Sequence, residues 1–442
     1  MTAAQRNSIS NPPAGLMLWC SDCGSNGELQ VFNGTTFTNL TGDLREMAGS
    51  LYAQIGSDID GEAAGDESGV AVSLSSDGTI VAIGARWNDG NGSSSGHVRV
   101  YQYASSTWSQ LGSDIDGEAT SDGSGYSVSL SSDGTIVAIG ALYNDGGGAN
   151  SGHVRVYQYA SSTWSQLGSD IDGEAAGDIS GYSVSLSSDG TIVAIGAPSN
   201  DGNGSSSGHV RVYQYASSTW SQLGSDIDGE ATSDGSGYSV SLSSDGTIVA
   251  IGALYNDGGG ANSGHVRVYQ YASSTWSQLG SDIDGEAAGD ISGYSVSLSS
   301  DGTIVAIGAP SNDGNGSSSG HVRVYQYASS TWSQLGSDID GEAASDNSGC
   351  SVSLSSDGTI VAIGAYSNDG NGSSSGHVRV YQYASSTWSQ LYSDIDGEAA
   401  SDGSGVAVSL SSDGTIVAIG ARWNGGNGSS SGHVRVYEEG SI

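Results

Sequence analysis

Read for where its apolar residues fall, the chain spells one short pattern over and over. In its first occurrence Val70, Val72 and Leu74 alternate with small residues, the period-two signature of a strand with one buried face. Ser75-Ser76-Asp77-Gly78 then marks a tight hairpin, with glycine supplying the positive φ. Thr79 to Ala85 (TIVAIGA) is almost continuously apolar, as a strand covered on both faces must be. A polar loop from Arg86 to Gly96 follows, then His97 to Tyr103 (HVRVYQY), a turn at Ala104 to Thr107, and a short strand from Trp108 to Gly112. No stretch keeps the 3.6-residue period of a helix. The pattern therefore predicts four antiparallel strands per unit.

The unit recurs at a fixed interval. His-Val-Arg-Val appears at His97, His153, His209, His265, His321, His377 and His433, always 56 residues apart. Seven units fill residues 51–442, and residues 113–224 are identical to 225–336. One such unit cannot bury its own apolar faces, so neighbours must stack, either in a solenoid or in a ring. The ends favour the ring. Trp108 recurs at Trp164, Trp220, Trp276, Trp332 and Trp388, but its seventh counterpart is Tyr52, at the start of the repeats. The chain stops after a third strand, His433 to Tyr437, so Leu51 to Gly56 is expected to supply the missing outer strand beside Val434 to Tyr437. The fold expected is all-β: a seven-bladed β-propeller with four antiparallel strands per blade, closed three-plus-one by the N-terminal outer strand. Two domains follow, a short β-rich leader over 1–50 and the propeller over 51–442. Within the leader, Leu16 to Cys20, Glu28 to Phe32 and Thr36 to Leu40 read as strands.

Sequence motifs point the same way. Ser180-Gly181-Tyr182-Ser183-Val184, Ser188-Asp189-Gly190, Ile195-Gly196-Ala197-Pro198 and Gly208-His209-Val210-Arg211-Val212-Tyr213 together resemble the FG-GAP repeat. That resemblance implies the seven-bladed propeller of integrin α subunits and of many bacterial surface proteins, and with it an extracellular or cell-surface setting. Only the third and fifth units spell Gly-Ala-Pro, and the hairpin in which the family carries calcium is cut here to Ser-Ser-Asp-Gly.

Charge narrows the choice of partner. Asp plus Glu number 48 against 11 Arg and no Lys, a formal net charge of −37. Phosphate contacts need clustered cations, so nucleic acid is excluded as a partner and an anionic membrane surface is disfavoured. No apolar run approaches the roughly 18 residues of a membrane span. Met1 to Gly15 lacks the basic-then-apolar order of a secretory signal. Three cysteines, Cys20, Cys23 and Cys350, cannot frame a disulfide scaffold, and Cys350 stands where other units have Tyr or Val.

Two constellations are candidates for function. Asp58, Asp60, Glu62 and Asp66 place oxygens at positions 1, 3, 5 and 9 of a loop, a calcium-like spacing repeated at Asp114, Asp116, Glu118 and Asp122 and in every later unit. Calcium is thus a possible cofactor, set against an acidic turn whose Asp side chains cap backbone amides. The second is a variable pair after each Gly-Ala corner, from which Arg86, Trp87, Tyr143, Tyr255, Tyr366, Arg422 and Trp423 are expected to contact a ligand. The seven histidines read as packing residues, since catalysis needs different groups converging on one pocket, and Arg99 is expected to pair with a carboxylate such as Asp77. The function expected is a non-enzymatic recognition or adhesion module, a monomeric propeller on its own or within a larger chain, that binds a glycan or a surface protein through its long-loop end. The alternatives are a passive spacer or fibre tip, and an enzyme with a site in the central channel.

Overall fold

The computed structural model describes residues 17–20, 28–32, 37–39 and 52–440. They fall into two compact units, Gln54–Glu438 and a smaller one of Met1–Ala53 with Glu439–Ile442. In the smaller unit Met17–Cys20, Glu28–Phe32 and Phe37–Asn39 form an antiparallel three-stranded sheet, within a residue or two of the expected strands. Cys23 lies outside the described residues.

The large unit is a ring of seven sheets, with no helix among the described residues. In the first, Ala71–Leu74, Ile80–Ala85, His97–Ala104 and Thr107–Gln110 follow one another from the axis outwards. The TIVAIGA strand is buried along its whole length, as its unbroken apolar run requires. Clusters form between blades rather than within them. Ile304, Ala306, Val322 and Val324 of one blade pack against Val352, Leu354, Val361, Ile363 and Trp388 of the next. Each such side chain contributes roughly 1.5–3 kcal/mol by leaving water, but only if the neighbour is present. The tryptophans sit on this seam as expected: Trp164 Nε1 donates to the Leu111 carbonyl of the preceding blade at 2.7 Å.

Closure is visible in hydrogen bonds. At the hairpin end of the channel the Ser76 amide donates to the Ser132 carbonyl, Ser132 to Ser188, and so on round to Ser412, whose amide donates to Ser76 at 2.8 Å. Beside the last strand, Ile55 N–H donates to the Val436 carbonyl at 2.8 Å, and Ile59 and Asp60 pair with Val434 and His433. Ile59, Val72, Leu74, Val81 and Ile83 share a core with Ala418, Val434 and Val436, so the first and last blades meet as any other two do.

One element differs from the expectation. The acidic segment is a loop only in part, because Ile115–Asp116 forms a two-residue strand that returns to pair with Val98 and His97. The outer strand kinks at Gly112, φ 73°, and then continues along the rest of the third strand. In the sixth sheet both halves run on as a single strand, Thr387–Asp396. The pairing is driven by Ile115, whose side chain is buried while the acids on either side point away.

Candidate functional site

The loop between the second and third strands and the acidic segment emerge at the same end of the ring, and they are tied together. Asp66, only 4% exposed, accepts hydrogen bonds from Ala63 N–H (2.9 Å) and Asn88 Nδ2 (3.0 Å). The same arrangement recurs at Asp122 with Asn144. This carboxylate therefore organises the turn.

The other acids of the segment go elsewhere. Asp58 accepts from Gln54 Nε2 at 2.6 Å. Asp60 offers its backbone carbonyl to Arg99 Nη2 at 2.6 Å. Glu62 turns towards Arg99, with Oε1 3.6 Å from Nη1, and towards His97. Asp114, Asp116 and Glu118 repeat this division one unit on, with Gln110 on Asp114 and Arg155 on the Asp116 carbonyl and on Glu118. The four oxygens of one segment thus do not converge on one point. Burial lifts the carboxyls of Asp116 and Glu118 above their ordinary values, the neighbouring Asp114 adding to the effect at Asp116.

Arg99 pairs with a carboxylate, but with that of Glu62 and not with Asp77, the partner expected from sequence. Asp77 is held by its own hairpin, accepting from Ser75 Oγ, Thr79 N–H and Thr79 Oγ1. What meets instead is Glu62, His97 and Asp114, from two successive acidic segments and the strand between them. These are acid and histidine groups that could hold a metal ion, and the set recurs round the ring. His97 is 1% exposed, and burial together with the Arg99 charge lowers its pKa to about 4, so the imidazole is neutral at pH 7.

The variable pair forms a rim. Arg86 is ion-paired to Glu67 (2.7 Å) and lies over the rings of Trp87 and Tyr126 at 5.1 and 5.3 Å. Trp87 stacks on Tyr143 at 6.1 Å, Arg422 lies over Trp423 at 4.3 Å, and Tyr366 meets Trp423 edge-on at 5.9 Å. Tyr143 and Tyr255 are 39% and 51% exposed. Several rings also cover the loop beneath: Tyr143 and Trp423 lie against Gly123 and Gly403, and at Gly403 a Cβ would stand 2.5 Å from the Trp423 ring. By contrast, Leu142 and Leu254, first members of their pairs, are buried.

Sequence reasoning missed the centre of this end. The residue just before Ala71–Leu74, Val70, and its counterpart in every blade line the axis, and four of the seven are tyrosines. Tyr126, Tyr182, Tyr238 and Tyr294 form an arc, with successive ring centroids 4.9, 4.7 and 5.0 Å apart. Val70, Cys350 and Val406 complete the circle around a cavity of about 280 Å³. Burial pushes all four phenols above the ordinary value, and hydroxyl-to-hydroxyl hydrogen bonds link Tyr182 to Tyr126 and Tyr238. Cys350 Sγ donates to the Gly364 and Gly405 carbonyls, and burial pushes its pKa to about 11, so it is an inert packing thiol. The signal was available as a 56-residue series of Val, Tyr, Tyr, Tyr, Tyr, Cys and Val, which means a ring only once the axis is known.

Comparison with known proteins agrees with this architecture. The family described as FG-GAP repeat matches over residues 59–101 and 339–381. No curated protein matches the chain. Among solved structures, Kuenenia stuttgartiensis hydrazine synthase superposes with a TM-score of 0.52 at 12% identity, over 83% of this chain and 94% of that one. A candidate 6-phosphogluconolactonase from Bacteroides uniformis gives 0.54 at 12% identity, over 86% and 96%. At that identity the likeness is one of fold. The chain is a seven-bladed β-propeller, and two stretches of it match the FG-GAP repeat.

Proposed function

We propose that this propeller is a non-enzymatic extracellular recognition module that takes a carbohydrate chain at its loop end, with the ring of inner-strand tyrosines as the floor and the Arg-aromatic rim as the wall. The observation that carries the reading is the tyrosine arc, half-buried around an open mouth with Arg86 lying over Tyr126. Aromatic faces and phenolic hydroxyls suit the apolar faces and hydroxyl edges of sugar rings, and the arc leaves both within reach.

Asymmetry supports it too. Seven identical blades would offer seven identical faces, whereas Trp87, Tyr143, Tyr366 and Trp423 belong to four blades around the closure and so mark one side of the rim. The cavity lining is Val, Ala, Ser, Tyr and Cys, and burial keeps its phenols and thiol protonated at pH 7, which suits contact with sugar hydroxyls better than proton abstraction. Calcium held by one acidic segment alone is not part of the reading, since Asp66 is spent on the turn and Glu62 faces a guanidinium.

Glycan-array binding of the wild-type chain, compared with Tyr182→Ala/Tyr238→Ala and with Trp87→Ala/Trp423→Ala, tests it. Loss of signal of tenfold or more in the first variant, with a smaller loss in the second, is expected. Wild-type binding that neither variant weakens would refute the site, and no binding to any glycan would favour a spacer.

A further inference from the structure

Four of the seven histidines have a feature that packing does not explain. A buried imidazole ordinarily finds a hydrogen-bond partner for each ring nitrogen, because leaving one unpaired costs about 1–3 kcal/mol. His97, His153 and His265 are each 1% exposed, and neither ring nitrogen of any of them has a partner; the same holds for Nδ1 of His377. In every blade that nitrogen is aimed at carboxylate. His97 Nδ1 lies 3.9 Å from Glu62 Oε2 and 3.9 Å from Asp114 Oδ2, and His153 repeats both distances with Glu118 and Asp170. At the closure His433 lies 3.8 Å from both Asp58 and Glu398.

These separations are too long for hydrogen bonds and about right for ligands around a shared ion. Donors 2.0–2.2 Å from a tetrahedral ion stand about 3.4 Å apart, so the two acid arms need to close by only about half an ångström. Those arms can move: the Glu62 and Asp114 side chains are 45% and 31% exposed, over a histidine that is not. Arg99 engages the far oxygen of Glu62, leaving Oε2 directed at the histidine.

We propose that each histidine of the His-Val-Arg-Val series, with the glutamate of the acidic segment before it and the first aspartate of the segment after it, binds one divalent transition-metal ion of the zinc class, water completing the shell. One imidazole nitrogen with two carboxylate oxygens selects a borderline ion such as Zn²⁺ or Co²⁺ over Ca²⁺, which takes oxygen alone. Each ion joins what the chain leaves separate. Glu62 lies on the connection from the last blade into the first, whereas Asp114 adjoins the strand Ile115–Asp116 that pairs with the His97 strand. The ions would pin each inter-blade connection to the blade it enters, and the positive charge would offset part of the −37.

The test uses the full chain, stripped with a chelator and titrated with Zn²⁺ and, as a coloured probe, Co²⁺. Close to seven ions per chain are expected, with a higher thermal midpoint. Visible Co²⁺ bands should be those of a nitrogen-and-oxygen shell, and Ca²⁺ at the same concentration should leave the imidazole NMR signals in place. Asp170→Asn alters one partly exposed arm, and His153→Gln removes the nitrogen; each should lower the zinc count by one while the metal-free melting midpoint of the first stays put. A wild-type count near zero, a count unchanged in both variants, or imidazole signals indifferent to zinc would overturn the assignment.

Discussion

The two ends of this ring are built to opposite rules. At the hairpin end all seven units read Ser-Ser-Asp-Gly, and every copy makes the same bonds: Asp189 accepts from Ser187 Oγ, Thr191 N–H and Thr191 Oγ1, as Asp77 does in the first blade. At the loop end the same backbone carries Arg-Trp, Leu-Tyr, Pro-Ser or Tyr-Ser after the Gly-Ala corner. Neighbouring positions vary in step. Where the acidic segment has Gly123, Gly235 or Gly403, the facing residue is Tyr143, Tyr255 or Trp423; where it has Ile179 or Ile291, the facing residue is a serine, Ser199 or Ser311. The difference teaches that the repeat fixes the frame at one end and frees the other to vary: Tyr143, Tyr255 and Trp423 each stand against a glycine, whereas the unit of Trp87 has Glu67 there.

The sharpest way to break this contrast is one substitution at each end. Asp189→Ala should lower the unfolding free energy by about 2 kcal/mol, since three donors lose a charged acceptor. Tyr255→Ala, at an exposed rim position, should stay within about 0.5 kcal/mol. Urea midpoints of the two variants read the comparison directly, and equal losses would abolish it.

pH should undermine the two ends from opposite sides. Burial alone would raise the Asp77 carboxyl, but the hydrogen bonds from Thr79 and Ser75 outweigh it and hold it below its ordinary value. Its stabilisation is therefore present above pH ~4 and is lost on acidification. The arc tyrosines have raised pKa values, so their share is intact below pH ~10 and is lost as pH climbs above it. Tyr182→Phe/Tyr238→Phe should flatten the alkaline limb of a melting-temperature profile and leave the acid limb unchanged; Asp189→Asn should do the reverse.

The smallest effect concerns strain. Ile179 and Ile291 sit at φ 51° and 52°, a left-handed conformation that β-branched side chains rarely adopt. The sixth unit places Asn347 there at φ 56°, with Nδ2 donating to the Pro310 carbonyl. Ile179→Asn should raise stability by up to about 1 kcal/mol, and a lowered denaturation midpoint would show that the isoleucine contact outweighs the strain.

Much of the frame was legible in the chain. A period-two Val-Val-Leu, the apolar TIVAIGA and the 56-residue His-Val-Arg-Val interval were enough for blades, and the tryptophan series that begins at Trp108 placed the seam. The candidate site was less legible, for physical reasons. Tyr126, Tyr182, Tyr238 and Tyr294 are remote in sequence and meet only because the axis gathers equivalent positions. Glu62 and Asp114 belong to different segments, and a spacing argument confined to one loop could not pair them through His97. Arg99 was assigned to Asp77 because the kink at Gly112, and the strand Ile115–Asp116 beyond it, leave no local signature.

The circle of serine amides has an electrical consequence. Seven peptide dipoles laid head to tail around an axis add to nothing along it, unlike those stacked in a helix, which leave a pole at each tip. The circle of amides thus adds no axial field of its own at the narrow mouth, where the charge is left to the seven hairpin aspartates, and the hand-off from Ser412 to Ser76 is indistinguishable from its six companions. Nothing in that loop of amides records where the polypeptide begins.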